Sequence, residues 1–254
     1  MPKYFDIHSH LNFLDYEKDW DEVIARMRGA GTHTIVVGTD YESSKKAVEL
    51  ADKYPEIYAC IGVHPVDNPS QVFEKEKFEE LAKHSKVIAI GECGMDFFHQ
   101  DKTQDFERQK KLFETQIEFA LEHGKPVMVH ARDSYAEILE IIGNYPNLRG
   151  NIHFFAGTLD EARRFIERGF TLSFTGVITF VGAYDEIIKS VPLESIMTET
   201  DAPFVAPVPY RGKRNEPSYV KEVVKRIAEI RGEDFETVRQ TLVENALRMI
   251  MYES

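Results

Sequence analysis

Eight short apolar runs recur along this chain, spaced for a strand followed by a helix rather than for a hairpin: "YFDIH", "HTIVVG", "IYACIG", "KVIAIG", "PVMVH", "GNIHF", "FTLSF" and "SIMTE". Most intervening segments carry helical spacing, as in Trp20, Val23, Ile24 and Met27 ahead of the second run and Phe106, Leu112, Phe113, Ile117 and Phe119 ahead of the fifth. Strands that alternate with helices pair in parallel, because a parallel neighbour is reached only by a crossover. The runs are too apolar to face water on either side, so both faces must be covered. Eight such units in about 200 residues predict closure into a (β/α)8 TIM barrel, an α/β fold, with the open doubly wound sheet as the alternative. Two more helices, Tyr219 to Arg231 and Phe235 to Met251, follow the eighth run, and with no repeat or linker in between, residues 1–254 are expected to form one domain.

At 43% hydrophobic and 29% charged, the composition is that of a soluble globular protein. No apolar run approaches the roughly 20 residues that a membrane helix needs. The first residues lack the basic, then apolar pattern of a signal peptide, which predicts a cytoplasmic location. Cys60 and Cys93 are too few for a disulfide framework and are expected to be free thiols. A net charge of -12 argues against broad electrostatic capture of nucleic acid. Local positive charge remains available from bound divalent ions and from Arg211, Lys213 and Arg214 in "YRGKRNE".

In a barrel of this type, chemistry gathers at the C-terminal ends of the strands. Five of the nine histidines fall there: His8 and His10 after the first run, His64 after the third, His130 at the fifth and His153 at the sixth. The fourth run ends in Glu92, and the eighth leads through Glu199 to Asp201 and a long proline-rich loop, "DAPFVAPVPYRGKRNEP". Imidazoles mixed with carboxylates suit zinc, manganese or iron. Residues two apart on a strand share a face, so His8 and His10 can reach one ion. Asp6, one step deeper, is read as an acceptor for a histidine N–H, or equally as a hydrogen-bonded carboxylate of the barrel floor. Burying Glu92 demands a cationic partner, and its two oxygens suit it to bridge two ions.

With "DIHSHL", "GVHP", "GECGMDF", "KPVMVHAR", "HFFAG" and "ETDAPFVAPVPYRGKRNEP" in place, the sequence closely resembles the TatD family of metal-dependent deoxyribonucleases across nearly its whole length. The resemblance implies two divalent ions, Mg, Mn or Zn, one on His8, His10 and Asp201 and one on His130 and His153, with Glu92 shared. Phe154 and Ala156 stand where the family commonly has cysteine and serine, beside the ligands rather than among them.

The resemblance further implies hydrolysis of DNA phosphodiester bonds in a 3'-5' exonuclease-like manner by a metal-activated water, with single strands or 3' ends as substrate. Asp201 and Glu92 are the expected catalytic residues, Asp201 accepting the water's proton. His64, Arg132, Arg211, Lys213 and Arg214 are the expected substrate contacts. No membrane association and no obligate protein partner are expected. A small ester, amide or aminoacyl substrate on the same centre is the alternative, and a catalytically silent metal-binding module is the third reading.

Overall fold

A computed structural model describes residues 1–68, 70–98 and 101–250. His99 and Met251 therefore lie outside the described residues. All eight predicted runs are strands: β1 (Tyr4–Ser9), β2 (Thr32–Val37), β3 (Ile57–Ile61), β4 (Val87–Asp96), β5 (Val127–Arg132), β6 (Gly150–Ile152), β7 (Phe170–Phe174) and β8 (Ile196–Thr198). They pair in parallel in sequential order from β1 to β8. The open doubly wound order, with its reversal point, is thereby excluded. Between them run α1 (Trp20–Ala30), α2 (Tyr41–Lys53), α3 (Lys75–Ala82), α4 (Lys102–Glu122), α5 (Tyr135–Ile142), α6 (Leu159–Glu167) and α7 (Asp185–Ser190). Then α8 (Val220–Arg231) and α9 (Phe235–Ile250) follow the long loop.

The barrel closes by a short bridge between Ser9 and Ala202 rather than by a full ladder. The Asp201 N–H donates to the His8 carbonyl at 2.9 Å, and the His10 N–H to the Ala202 carbonyl at 2.7 Å. Asp6 reinforces this seam. Fully buried, its carboxylate accepts from the Thr200 N–H (2.8 Å) and hydroxyl (2.7 Å), from the Thr34 hydroxyl (3.2 Å) and from the His8 backbone N–H (3.3 Å). Of the two sequence readings, the structural carboxylate is therefore the one observed, because among the described residues its hydrogen-bond donors are two threonines and a backbone N–H and not an imidazole ring.

Alternation along the strands divides the interior in two. Ile35, Val37, Cys60, Met128 and Met197 join Phe5 and Ile7 in one buried cluster with Val243, Ala246 and Met249 of α9. Their strand neighbours Val36, Ala59, Ile61, Val127 and Val129 pack outward with the surrounding helices. Helix α9 stops the bottom of the barrel: Asn245 donates to the carbonyls of Leu193, just ahead of β8, and of Ile196, its first residue, and Arg239 donates to that of Lys3, just ahead of β1. Among the described residues no helix is long and apolar enough to cross a membrane.

Candidate metal centre

Glu92, only 3% exposed, is the hub of the barrel mouth. Its Oε1 lies 2.8 Å from His130 Nδ1 and 2.7 Å from His153 Nε2. Its Oε2 turns the other way, 3.4 Å from His8 Nε2 and 3.7 Å from His10 Nε2. Asp201 Oδ1 completes that side at 3.8 Å from His8 Nε2 and 3.5 Å from His10 Nε2. The six side chains come from β1, β4 and β5, from the residues directly after β1 and β6, and from the third residue after β8. Strand β4 reaches this point only because it hugs β5: a Cβ on Gly94 would stand 2.1 Å from the His130 carbonyl oxygen. Hence the glycine in "GECG".

The donor set fits divalent cations. Roughly 2.0–2.1 Å from a tetrahedral ion, two ligand nitrogens stand about 3.3 Å apart. His8 Nε2 and His10 Nε2 are 3.2 Å apart, and His130 Nδ1 and His153 Nε2 are 3.3 Å apart. The tautomers agree. His10 Nδ1 faces the Val37 carbonyl at 3.0 Å, which can only accept, so the neutral ring keeps its lone pair on the inward Nε2. His130 Nε2 faces Asp96 Oδ2 at 3.0 Å, leaving Nδ1 to the cluster. Metal-capable atoms of His8, His10 and Glu92, of His8, His153 and Asp201, and of His64, Glu92 and His130 each gather within 4.8 Å. The groups share His8 and Glu92, and so form one continuous cluster.

Electrostatics point the same way. Burial pushes the Glu92 carboxyl up, but the imidazoles of His153, His64 and His8 and the bond from His130 outweigh it and hold it well below the carboxylate range. At His153, burial favours the neutral ring, yet Glu92 and Glu199 lift its pKa well above the usual value. Buried carboxylates here require positive charge, which the imidazoles supply in part and divalent cations held by the cluster would complete. Two backbone positions are held left-handed beside the ligands, Asp201 at φ 54° and Phe154 at φ 46°. For a bulky residue such as Phe154 this is costly. Glu199 holds it by accepting the Phe154 N–H at 2.9 Å, while standing 3.4 Å from His153 Nδ1 and accepting the Ser173 hydroxyl at 2.5 Å. Glu199 thus braces the His153 turn.

The cluster floors a cleft of about 580 Å³ lined among others by His10, His64, His130, Arg132, Asp201 and Phe204. His64 Nδ1 rests 2.8 Å from Asp67 Oδ1, with Nε2 3.6 Å from Glu92. Arg132 lies on the Phe98 ring at 3.8 Å. The three loop cations stand off this wall. Arg214 pairs with Asp19 at 2.5 and 2.8 Å over the Tyr16 ring, Arg211 lies on Phe180 at 3.9 Å, and Lys213 is exposed. Asp96 and Asp67 were not anticipated. Asp96 was within reach, since it follows Glu92 by four residues and so shares its face on a strand that runs on.

The sequence profile of the family described as TatD related DNase matches residues 5–251. The metal-dependent hydrolase YabD of Bacillus subtilis is 40% identical, over 96% of this chain and 98% of the relative. The 3'-5' ssDNA/RNA exonuclease TatD of Citrobacter rodentium is 34% identical, over 96% and 97%. Among solved structures, the TatD homolog YjjV from Escherichia coli K12 superposes with a TM-score of 0.90 at 28% identity, covering 99% of each chain. A buried histidine–carboxylate cluster at the mouth of a parallel eight-stranded barrel, together with these likenesses, shows that the chain belongs to the TatD related DNase family of metal-dependent hydrolases.

Proposed function

We propose that the chain is a nuclease that trims single-stranded DNA from its 3' end, acting in the cytoplasm as one catalytic domain of residues 1–254. The observation that carries this reading is the division of Glu92, one oxygen toward His8 and His10 and the other toward His130 and His153. That division supports a reading with two ions of Mg, Mn or Zn, one of which would be held by His8, His10 and Asp201 and one by His130 and His153, with Glu92 shared. When bound, the ions supply Lewis-acid polarisation of the phosphate and acidify water at the site. The name of the Citrobacter relative supports a single-stranded substrate. The buried free thiols of Cys60 and Cys93 fit a reducing compartment.

The chain's own residues do the positioning and the proton work. Asp201, 8% exposed and on the cleft wall, accepts the proton of the attacking water and returns one to the leaving oxygen. Asp67 fixes the His64 ring so that Nε2 faces the cleft, where it contacts the phosphate or the leaving group. Arg132 offers N–H groups to a neighbouring phosphate. Arg211 and Lys213 are assigned to the strand beyond the cleft, and Arg214, through Asp19, to holding the loop they ride on.

The test incubates metal-stripped protein with 5'-labelled single-stranded DNA in Mg2+, Mn2+ or chelator, with Glu92→Gln alongside and bound metal counted by mass spectrometry. Metal-dependent shortening that disappears in the variant, together with about two ions per wild-type chain, supports the reading. Intact DNA alongside hydrolysis of small esters or amides overturns it in favour of the alternative substrate class.

A further inference from the structure

Of the eight large hydrophobic side chains exposed among the described residues, six stand in loops that follow strands: Leu14, Val72, Phe98, Phe180, Phe204 and Val208. Single exposed hydrophobic residues need no explanation, but their concentration at the functional end of a barrel does. Of these six, Phe204 lines the cleft.

Phe204 is 49% exposed and yet firmly held. Its N–H donates to the Asp201 carbonyl at 2.9 Å, and its own carbonyl accepts from the buried Asn215 side chain at 2.7 Å. Its ring meets Phe13 and His10 edge-on, with centroids 6.4 and 6.2 Å away. Phe13 is in turn stacked on His10 at 4.5 Å. A rigid aromatic surface is therefore presented to the cleft three residues after Asp201, with its ordering cost met before any ligand arrives. Arg132, flattened on Phe98, lines the same cleft from the β5 side.

We propose that Phe204, braced by Phe13, is a stacking subsite for one unpaired nucleobase next to the scissile phosphate, with Arg132 on the adjoining phosphate chain. This rests on the nuclease reading above. An aromatic face accepts any base, because every base has a π-face, so the subsite binds without reading sequence. It does read strandedness. A base inside a duplex is covered on both faces and must be unstacked before it can lie on the Phe204 ring. Single strands and frayed ends are therefore preferred over blunt duplex.

The experiment compares full-length wild type, Phe204→Ala and Phe204→Trp with Mn2+. The substrates are a single-stranded oligonucleotide and two derivatives with an abasic residue at the 3'-terminal or the penultimate position. Phe204→Ala is expected to raise KM about ten-fold on the unmodified strand, and Phe204→Trp to stay near wild type. One abasic derivative should cost wild type the same factor and cost Phe204→Ala nothing further. Equal losses by Phe204→Ala on all three substrates, or no loss on any, overturn the subsite. A wild type that cleaves every substrate equally well keeps the nuclease reading and overturns the subsite alone. A wild type that leaves all three intact removes the nuclease reading, and the subsite with it.

Discussion

Asp6 and Thr200 lie 194 residues apart in sequence and are joined by two hydrogen bonds, the Thr200 N–H and hydroxyl both donating to the Asp6 carboxylate at 2.8 and 2.7 Å. With only one backbone bridge between Ser9 and Ala202, this pair does much of what a full β8–β1 ladder would do. Asp6→Ala leaves buried donors unpaired and is expected to cost about 3 kcal/mol in urea titrations of metal-free protein, against about 1 kcal/mol for Thr200→Val. Equal losses in the two variants would show that Thr34 and His8 contribute nothing to the anchor.

Ions bound to this cluster would hold together side chains from β1, from β4 and from the stretch after β8, and so would stabilise the folded chain over the unfolded one. Adding metal at about 100 times its dissociation constant should add ~2.7 kcal/mol of stability per ion, seen as a rise in Tm that chelator reverses. Glu92→Gln should lose most of that rise. If the chelated and loaded proteins melt together, the cluster is not a metal site.

Asp96 fixes the tautomer of His130 and is itself fixed, its backbone N–H and carbonyl both bonded to the side chain of the buried Gln109 at 2.8 and 2.9 Å. Removing the carboxylate frees the ring to turn. Asp96→Ala is expected to weaken metal binding about 10- to 100-fold by calorimetric titration while leaving the circular dichroism unchanged. Asp96→Asn, which can still accept from Nε2, should lose less. An alanine variant with wild-type affinity would reduce Asp96 to a packing role.

On α4, Arg108 grips Asp105 with two bonds of 2.6 Å and holds its carboxyl below the usual range. A carboxyl lowered on folding stabilises the protein fully above its unfolded pKa, near 3.9, and loses that contribution as pH falls through the folded value. The gap in urea midpoint between wild type and Asp105→Asn should therefore be widest at neutral pH and shrink below about pH 4. A gap that grows in acid would contradict the assignment.

Strand positions and the six clustered side chains were legible in sequence because each follows from a local rule: an apolar run marks a buried strand, and a polar residue at its end faces the mouth. What escaped depended on partners remote in the chain. Asp6 was left between a helper to a histidine and a carboxylate of the barrel floor, because nothing local announces Thr200. Asp96 was passed over because the apolar run ends at Ile90, whereas glycines at 91 and 94 let β4 continue beside β5 as far as Asp96 itself. The pairing of Arg214 with Asp19 was not legible either, since charge alone does not reveal a partner so far away in the chain.

The short seam between the first strand and the last also has a consequence for biosynthesis. A ribosome delivers His8 and His10 near the start and Asp201 only after all eight strands, and Asp201 is tied to the His8 carbonyl across the closing bridge. A nascent chain or a truncated fragment that stops short of β8 holds an incomplete cluster with an open edge. The side of the cluster formed by His8, His10 and Asp201 is thus complete only once the last strand has been made.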